Sequence, residues 1–135
     1  MTVDETARRL AAAHWFPWPV GMAVQLEGAH SVLRVVGHIE RNGRRQLELR
    51  TDNGMARVRA STVACTPNLR DLRTAGLLLA DLWVLDSGWH THGNPWSGWH
   101  AHVDPELGDW QGACAGQAIA EALLAHYLPK QEQVT

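Results

Sequence analysis

Lysine, tyrosine and phenylalanine are nearly missing from this chain. One Lys (Lys130), one Tyr and one Phe stand against eleven Arg, seven Trp and eight His in 135 residues. The length excludes a multidomain enzyme and suits one domain. A net charge of -2 gives the whole chain no electrostatic claim on nucleic acid or on an anionic membrane, so any basic site has to be local. Only two cysteines are present, Cys65 and Cys114, far apart and without metal-ligand spacing. No signal-peptide pattern opens the chain, since Asp4 and Glu5 precede an apolar stretch broken by Pro17 and Pro19. The longest apolar run, GLLLADLWVL, is interrupted by Asp81 and is about half of what a bilayer needs. These absences predict a reduced, cytosolic protein without a membrane segment. P-loop and dinucleotide fingerprints are lacking as well.

With 45% apolar and 19% charged residues, the chain has the composition of a folded domain rather than a disordered one. Its charges are segregated: up to Arg73 lie eleven basic and seven acidic residues, and beyond it one basic and seven acidic. The segment from Asp4 to Trp15 reads as an amphipathic helix with acids in its first turn, ended by Pro17 and Pro19. From Gly21 to Cys65 the pattern turns to short alternating or β-branched runs, MAVQL, SVLRVVGHI, RQLELR and ARVRA. Asn42-Gly43 and Asn53-Gly54 supply two of the connecting turns. So few short strands bury a core most economically by curling, which predicts a small SH3-like β-barrel over residues 21–66. After Pro67 the three- and four-residue spacing of Leu69, Leu72, Ala75, Leu78, Leu79, Leu82 and Trp83 predicts a helix from Asp71 to Leu85, with Asp71 as N-cap. Two strand-like pieces and a closing helix from Gln111 to Leu128 follow. The expected class is α+β: an N-terminal helix, a small barrel, then an α-β-β-α half over residues 67–135, all in one compact domain.

The sharpest local signal is a near-repeat, Ser87-Gly88-Trp89-His90-Thr91-His92 and Ser97-Gly98-Trp99-His100-Ala101-His102. On a strand, residues i and i+2 face one side, so each His-x-His pair projects both rings together, as zinc ligation from a sheet requires. His90, His92, His100 and His102 are therefore candidate ligands for zinc. Register decides whether the pairs converge, because a one-residue slip sends them to opposite faces. The alternative is that Trp89 and Trp99 face inward against helices while the histidines sit half-solvated outside. Two-histidine phosphoesterases place His-x-Thr/Ser on separate strands, a form neither pair has.

Two further signals stand apart from the histidines. Arg34, Arg41, Arg44, Arg45, Arg50, Arg57 and Arg59 outnumber the acids around them and alternate with apolar residues; they read either as a solvated strand face or as a surface for nucleic acid or an acidic partner. Arg44, Arg45, Arg57, Arg59 and Trp96 are the candidate binding residues, although aromatics do not interleave with these arginines as in a stacking platform. The segment Trp15-Phe16-Pro17-Trp18-Pro19 is stiff and apolar, and it is expected to pack between the first helix and the strands. No nucleophile arrangement emerges, which points away from an enzyme: Cys65 and Cys114 read as small core residues.

The sequence also resembles a loose group of small bacteriophage- and prophage-encoded proteins without an assigned activity. The likeness rests on A-A-x-H-W (Ala11 to Trp15) followed by P-x-G-M (Pro19 to Met22), on N-L-R-D-L-R-T-A-G-L-L-L-A (Asn68 to Ala80), on Gly-Trp strands, and on A-x-A-E-A-L-L-A (Ala118 to Ala125). In that group the Gly-Trp strand usually occurs once and is not followed by His-x-His, so the doubled motif departs from the pattern. The resemblance implies a mobile genetic element inside a bacterium and carries over no catalytic residues; with no catalytic constellation assembled, the first expectation is a non-enzymatic protein of the bacterial cytosol that binds a host protein, as an inhibitor of a host defence system does. The competing expectation is a metal-binding or nucleic-acid-binding module built on the histidine pairs and the arginine face.

Overall fold

The computed structural model describes residues 2–13, 15–26, 33–51, 54–59, 65–85, 88–94, 98–102 and 109–134. The first helix, α1 (Val3–Ala12), starts where Thr2 accepts from the Glu5 amide and Glu5 reaches back to the Thr2 amide, a capping box. It buries Val3, Thr6, Ala7, Leu10 and Ala11. The aromatic segment that follows enters the core as expected: Phe16 and Trp18 are fully buried, with ring centroids 5.2 Å apart. Trp18 holds a left-handed backbone (φ 50°), a costly conformation for a bulky residue, and burial of its indole offsets that cost.

Strands β1 (Ala23–Leu26), β2 (Leu33–Arg41), β3 (Arg44–Thr51), β4 (Gly54–Arg59) and β5 (Cys65–Pro67) form one antiparallel sheet in the order β4-β3-β2-β1-β5. Asn42 (φ 53°) and Gly43 (φ 73°) make the tight turn between β2 and β3 that the Asn-Gly pair predicts. Asn53 lies outside the described residues. Alternation sends Leu33, Val35, Leu47 and Leu49 inward, each buried. The expected closed barrel does not form: among the described residues β4 and β5 are not paired, and the sheet is open. Its edge strand β5 is only three residues long and packs against α1, so a helix covers apolar surface that closure would otherwise have buried.

Helix α2 (Leu72–Leu85) follows, and the Asp71 carboxylate caps it by accepting from the Thr74 amide (2.9 Å) and hydroxyl (3.0 Å). A second antiparallel sheet, in the order β6-β7-β8, consists of β6 (His90–Asn94), β7 (Gly98–His102) and β8 (Trp110–Gly112). The chain ends in α3 (Ala115–Val134), which packs on α1, α2 and all three strands of this sheet. Two expectations are corrected here. The second half is α-β-β-β-α rather than α-β-β-α, and its last helix starts at Ala115 rather than Gln111. The residues QGACAG carry no periodicity that separates strand from helix, whereas pairing of Trp99 with Gly112 and Ala101 with Trp110 makes Trp110–Gly112 a strand. Gly116 then brings α3 against residue 69, where a Cβ would stand 2.0 Å from the Leu69 carbonyl oxygen.

One hydrophobic cluster joins both halves, from Leu10, Phe16 and Trp18 through Val35 and Leu49 to Leu78, Trp89, Ala101, Ile119 and Leu123. Cys65 is part of it, and burial pushes its thiol up to about 11, so it is an inert core residue. Asp81 on α2 is the exception to good packing: its Oδ2 is buried without a hydrogen-bond partner, and burial raises its pKa. A carboxyl that prefers its proton in the folded state costs stability when ionised. Asp81→Asn is therefore expected to raise the unfolding midpoint at neutral pH, with the gain shrinking as pH falls through the raised folded-state value and gone once pH is below the ordinary carboxylate range. Urea melts of parent and variant across pH check this.

Candidate functional site: a histidine face on the second sheet

The register of the second sheet settles the question left open by the repeat. His90 lies opposite His102, His92 opposite His100, and Thr91 opposite Ala101. All four histidine positions thus belong to one face, joined there by Gln111 of β8, which pairs with His100. The other face carries Trp99, Ala101 and Trp110 toward α3; Ala101 is fully buried and the two indoles partly so. Trp89, just before β6, is only 3% exposed, and its ring packs tilted against Trp110 (centroids 5.5 Å apart) and edge-to-face against His126 (5.1 Å). The indole rings hold the sheet down from beneath, and the imidazoles are left facing outward.

Gly93 fixes how tightly the hairpin closes. Its φ is 152°, and a Cβ there would stand 2.3 Å from the Gly98 carbonyl oxygen, so only glycine permits this approach. The Thr91 hydroxyl donates to the His100 carbonyl (2.9 Å), a second tie across the strands.

The rings themselves are close. His92 and His100 are stacked with centroids 5.4 Å apart, and His90 and His92 with centroids 6.1 Å apart. Two imidazoles on one tetrahedral zinc ion, with Zn–N bonds of about 2 Å, have centroids about 5 Å apart, so these separations are close to those of a shared ion. His100 Nδ1–H donates to Asp109 Oδ2 (2.8 Å), and His90 Nδ1–H donates to the Gly88 carbonyl (3.1 Å). In a neutral imidazole, engaging Nδ1 as donor puts the lone pair on Nε2, the arrangement in which ligating histidines are held by an outer carboxylate or carbonyl. Among the described residues, no three His, Cys, Asp or Glu side chains are already gathered about one point. Ligation requires these rings to rotate; His90 and His92 are exposed and His100 is partly so. His102 contributes its strand position; its side chain lies outside the description.

Asp109 was not singled out in the sequence. It sits seven residues beyond the second repeat, and only the pairing of β7 with β8 carries it next to His100.

The arginine candidates are divided by the first sheet. Arg44 and Arg57 share its outer face by register, as does the β4 position Arg59. Arg57 lies 3.9 Å from Glu48, a loose pair at the surface. Arg45 points the other way and donates to the Phe16 carbonyl (2.9 Å), locking the aromatic segment to the sheet. Arg34 is likewise structural, binding both oxygens of Asp71 and the Gly21 carbonyl. Trp96 lies outside the described residues. No protein-family model, no curated protein and no solved structure matches this chain.

Proposed function

We propose that the protein is a non-enzymatic binding module that takes up a divalent transition ion, zinc or nickel, on the histidine face of its second sheet. The observation that carries this reading is the register that sets His90 against His102 and His92 against His100. Neutral imidazoles suit these borderline ions, and Asp109 orients His100 toward one. Calorimetric titration with zinc at pH 7.5 is expected to show micromolar or tighter binding. His92→Ala/His100→Ala should abolish most of that affinity, whereas two separate weak sites would each lose only half. Asp109→Asn should weaken binding by about tenfold while leaving the stoichiometry unchanged. Protons compete for the same nitrogens, so affinity should fall on acidification. A parent protein that binds no zinc at micromolar concentration ends the reading.

A second proposal has its own support: that the chain is a phage- or prophage-encoded protein of the bacterial cytosol acting on a host protein, as an inhibitor of a defence system. Helix α2 leaves Leu72, Trp83 and Val84 at least half exposed, apolar surface of the kind protein partners cover. No helix among the described residues is long and apolar enough to cross a membrane. The arginine face favours nucleic acid less, because Arg34 and Arg45 are committed to internal contacts. We also propose that the first sheet is a relative of an SH3-like barrel, a reading supported by β5 returning to pair with β1 and by the irregularity between Val35 and Gly37 that bends β2.

A further inference from the structure

A cavity of about 310 Å³ lies at the β8 edge of the second sheet. Asp109, Trp110 and Gln111 form one wall, and Gln117 and Glu121, one turn apart on α3, form the other. This volume is at the lower end of small-ligand sites, roughly 300 to 1,000 Å³. Among the described residues its lining carries two carboxylates and no cation, within the part of the chain beyond Arg73 that holds one basic and seven acidic residues.

The lining is held in place from beneath. Gln117 is only 3% exposed; its Oε1 accepts from the Ala113 amide (2.7 Å) and its Nε2 donates to the Thr6 hydroxyl (3.2 Å). Thr6, fully buried on α1, donates in turn to Glu121 Oε1 (2.7 Å). Apolar side chains would join α1 to α3 without desolvating polar groups, so this buried relay is explained by what it positions, the Glu121 carboxylate at the cavity wall. Asp109 is fixed by His100 Nδ1 (2.8 Å), and the Trp110 ring is wedged against Trp89 and His126, with centroids 5.5 and 5.2 Å away. Arg9 reaches Glu121 Oε2 at 3.4 Å from outside this lining, a long and exposed contact that a better-placed cation displaces.

Two carboxylates, a carboxamide and an indole complement a planar cation with several N–H donors. A guanidinium presents five such donors in a fork that matches carboxylates, and its plane packs on aromatic rings; an ammonium has three donors and no plane. We propose that this cavity binds a guanidinium group, with Glu121 and Asp109 as its charge partners and Trp110 as its aromatic wall. The group belongs either to a small molecule or to an arginine of an extended peptide laid along β8, whose backbone pairs with β7 alone among the described residues.

The test uses the full chain in a chelating buffer, so that no metal on the histidine face acts through Asp109. N-acetyl-arginine amide is added while the amide resonances of Trp110, Gln111 and Glu121 and the Trp110 indole resonance are followed by NMR. The parent should show saturable shifts at these residues with a Kd of about 1 mM or tighter, and the neutral isostere N-acetyl-citrulline amide should show none. Glu121→Gln keeps an acceptor for Thr6, and Asp109→Asn changes an exposed position, so both variants stay folded; each should weaken binding by about fivefold or more. Arg9→Ala should strengthen binding because a competitor for Glu121 is gone, a gain that a purely structural ion pair would not give. N-acetyl-lysine amide should bind more weakly than the arginine amide. A short extended peptide with a central arginine that binds about tenfold more tightly than the amide, and also shifts the Gly112 amide, assigns the guanidinium to a protein partner, whereas equal affinity assigns it to a small molecule. Absence of shifts at about 10 mM arginine amide, equal binding of the citrulline or lysine amide, or parent-like affinity in both Glu121→Gln and Asp109→Asn would each overturn the proposal.

Discussion

Trp89→Ala is expected to destabilise the fold by about 3 to 5 kcal/mol, lowering the melting temperature by roughly 10 to 20 °C for a domain of this size. Trp89 is 3% exposed, and its ring meets Trp110 and His126 beneath the histidine face. Its removal opens a cavity between α3 and the second sheet, beside Trp83 of α2, which donates to the Trp89 carbonyl. Trp99, for which an effect of about 3 kcal/mol or more follows from burial of an indole, is only partly buried, so Trp99→Ala should cost less than Trp89→Ala. Circular dichroism melts of both variants check the order; equal losses would mean that the two rings carry the sheet alike. Because Trp89 underlies the histidine face, its loss should also weaken zinc binding at temperatures where the protein is still folded.

Asp71→Ala is expected to cost about 2 to 4 kcal/mol, the second largest effect. The Asp71 carboxylate does three things at once. It caps α2 through Thr74, it binds the Arg34 guanidinium at 3.0 and 3.1 Å, and it orients the Thr74 hydroxyl, which in turn accepts from the Ala23 amide of β1 (2.9 Å). Truncation removes the cap and leaves a guanidinium, two-thirds covered, without its carboxylate; the remaining exposure of Arg34 to water moderates the loss. Burial alone would raise the Asp71 pKa, but the bonds from Arg34 and Thr74 outweigh it and hold the carboxyl below its usual range. A depressed folded-state pKa contributes stability that is present above the unfolded value and lost as pH falls through the folded one. Parent and Asp71→Asn should therefore differ most at neutral pH and converge in acid. Denaturant melts at several pH values read this directly, and a constant difference would show that the carboxylate's charge contributes nothing.

This network marks one boundary of what the sequence discloses. Asp71 was recognisable as an N-cap because capping is a local contact between near neighbours, and the helix it starts has a strong three- and four-residue period. Arg34 was not recognisable as its partner. It looked like one more member of an arginine face, since a strand with one wet side gives the same alternation whether or not a cation is bound across the fold. Arg45 was misgrouped for the same reason, and its bond to the Phe16 carbonyl depends on a chain segment 29 residues away.

By itself the sequence determined the elements whose signals are short-range: the amphipathic first helix, the Asn42-Gly43 hairpin, the inward Trp18 and Phe16, the apolar α2, and the pairing of histidines two apart. It left undecided whatever depends on which strand lies beside which. Closure of the first sheet was one such matter, because alternation specifies an inner face without specifying what covers it, and α1 covers part of what a barrel would have enclosed. The third strand of the second sheet was another, since Trp110–Gly112 is too short to have a period and becomes a strand only by pairing with β7. The histidine face was the last. Spacing set each pair on one side of its own strand, but only the register between β6 and β7 could bring the pairs to the same side, because sliding one strand by a single residue reverses every side chain on it.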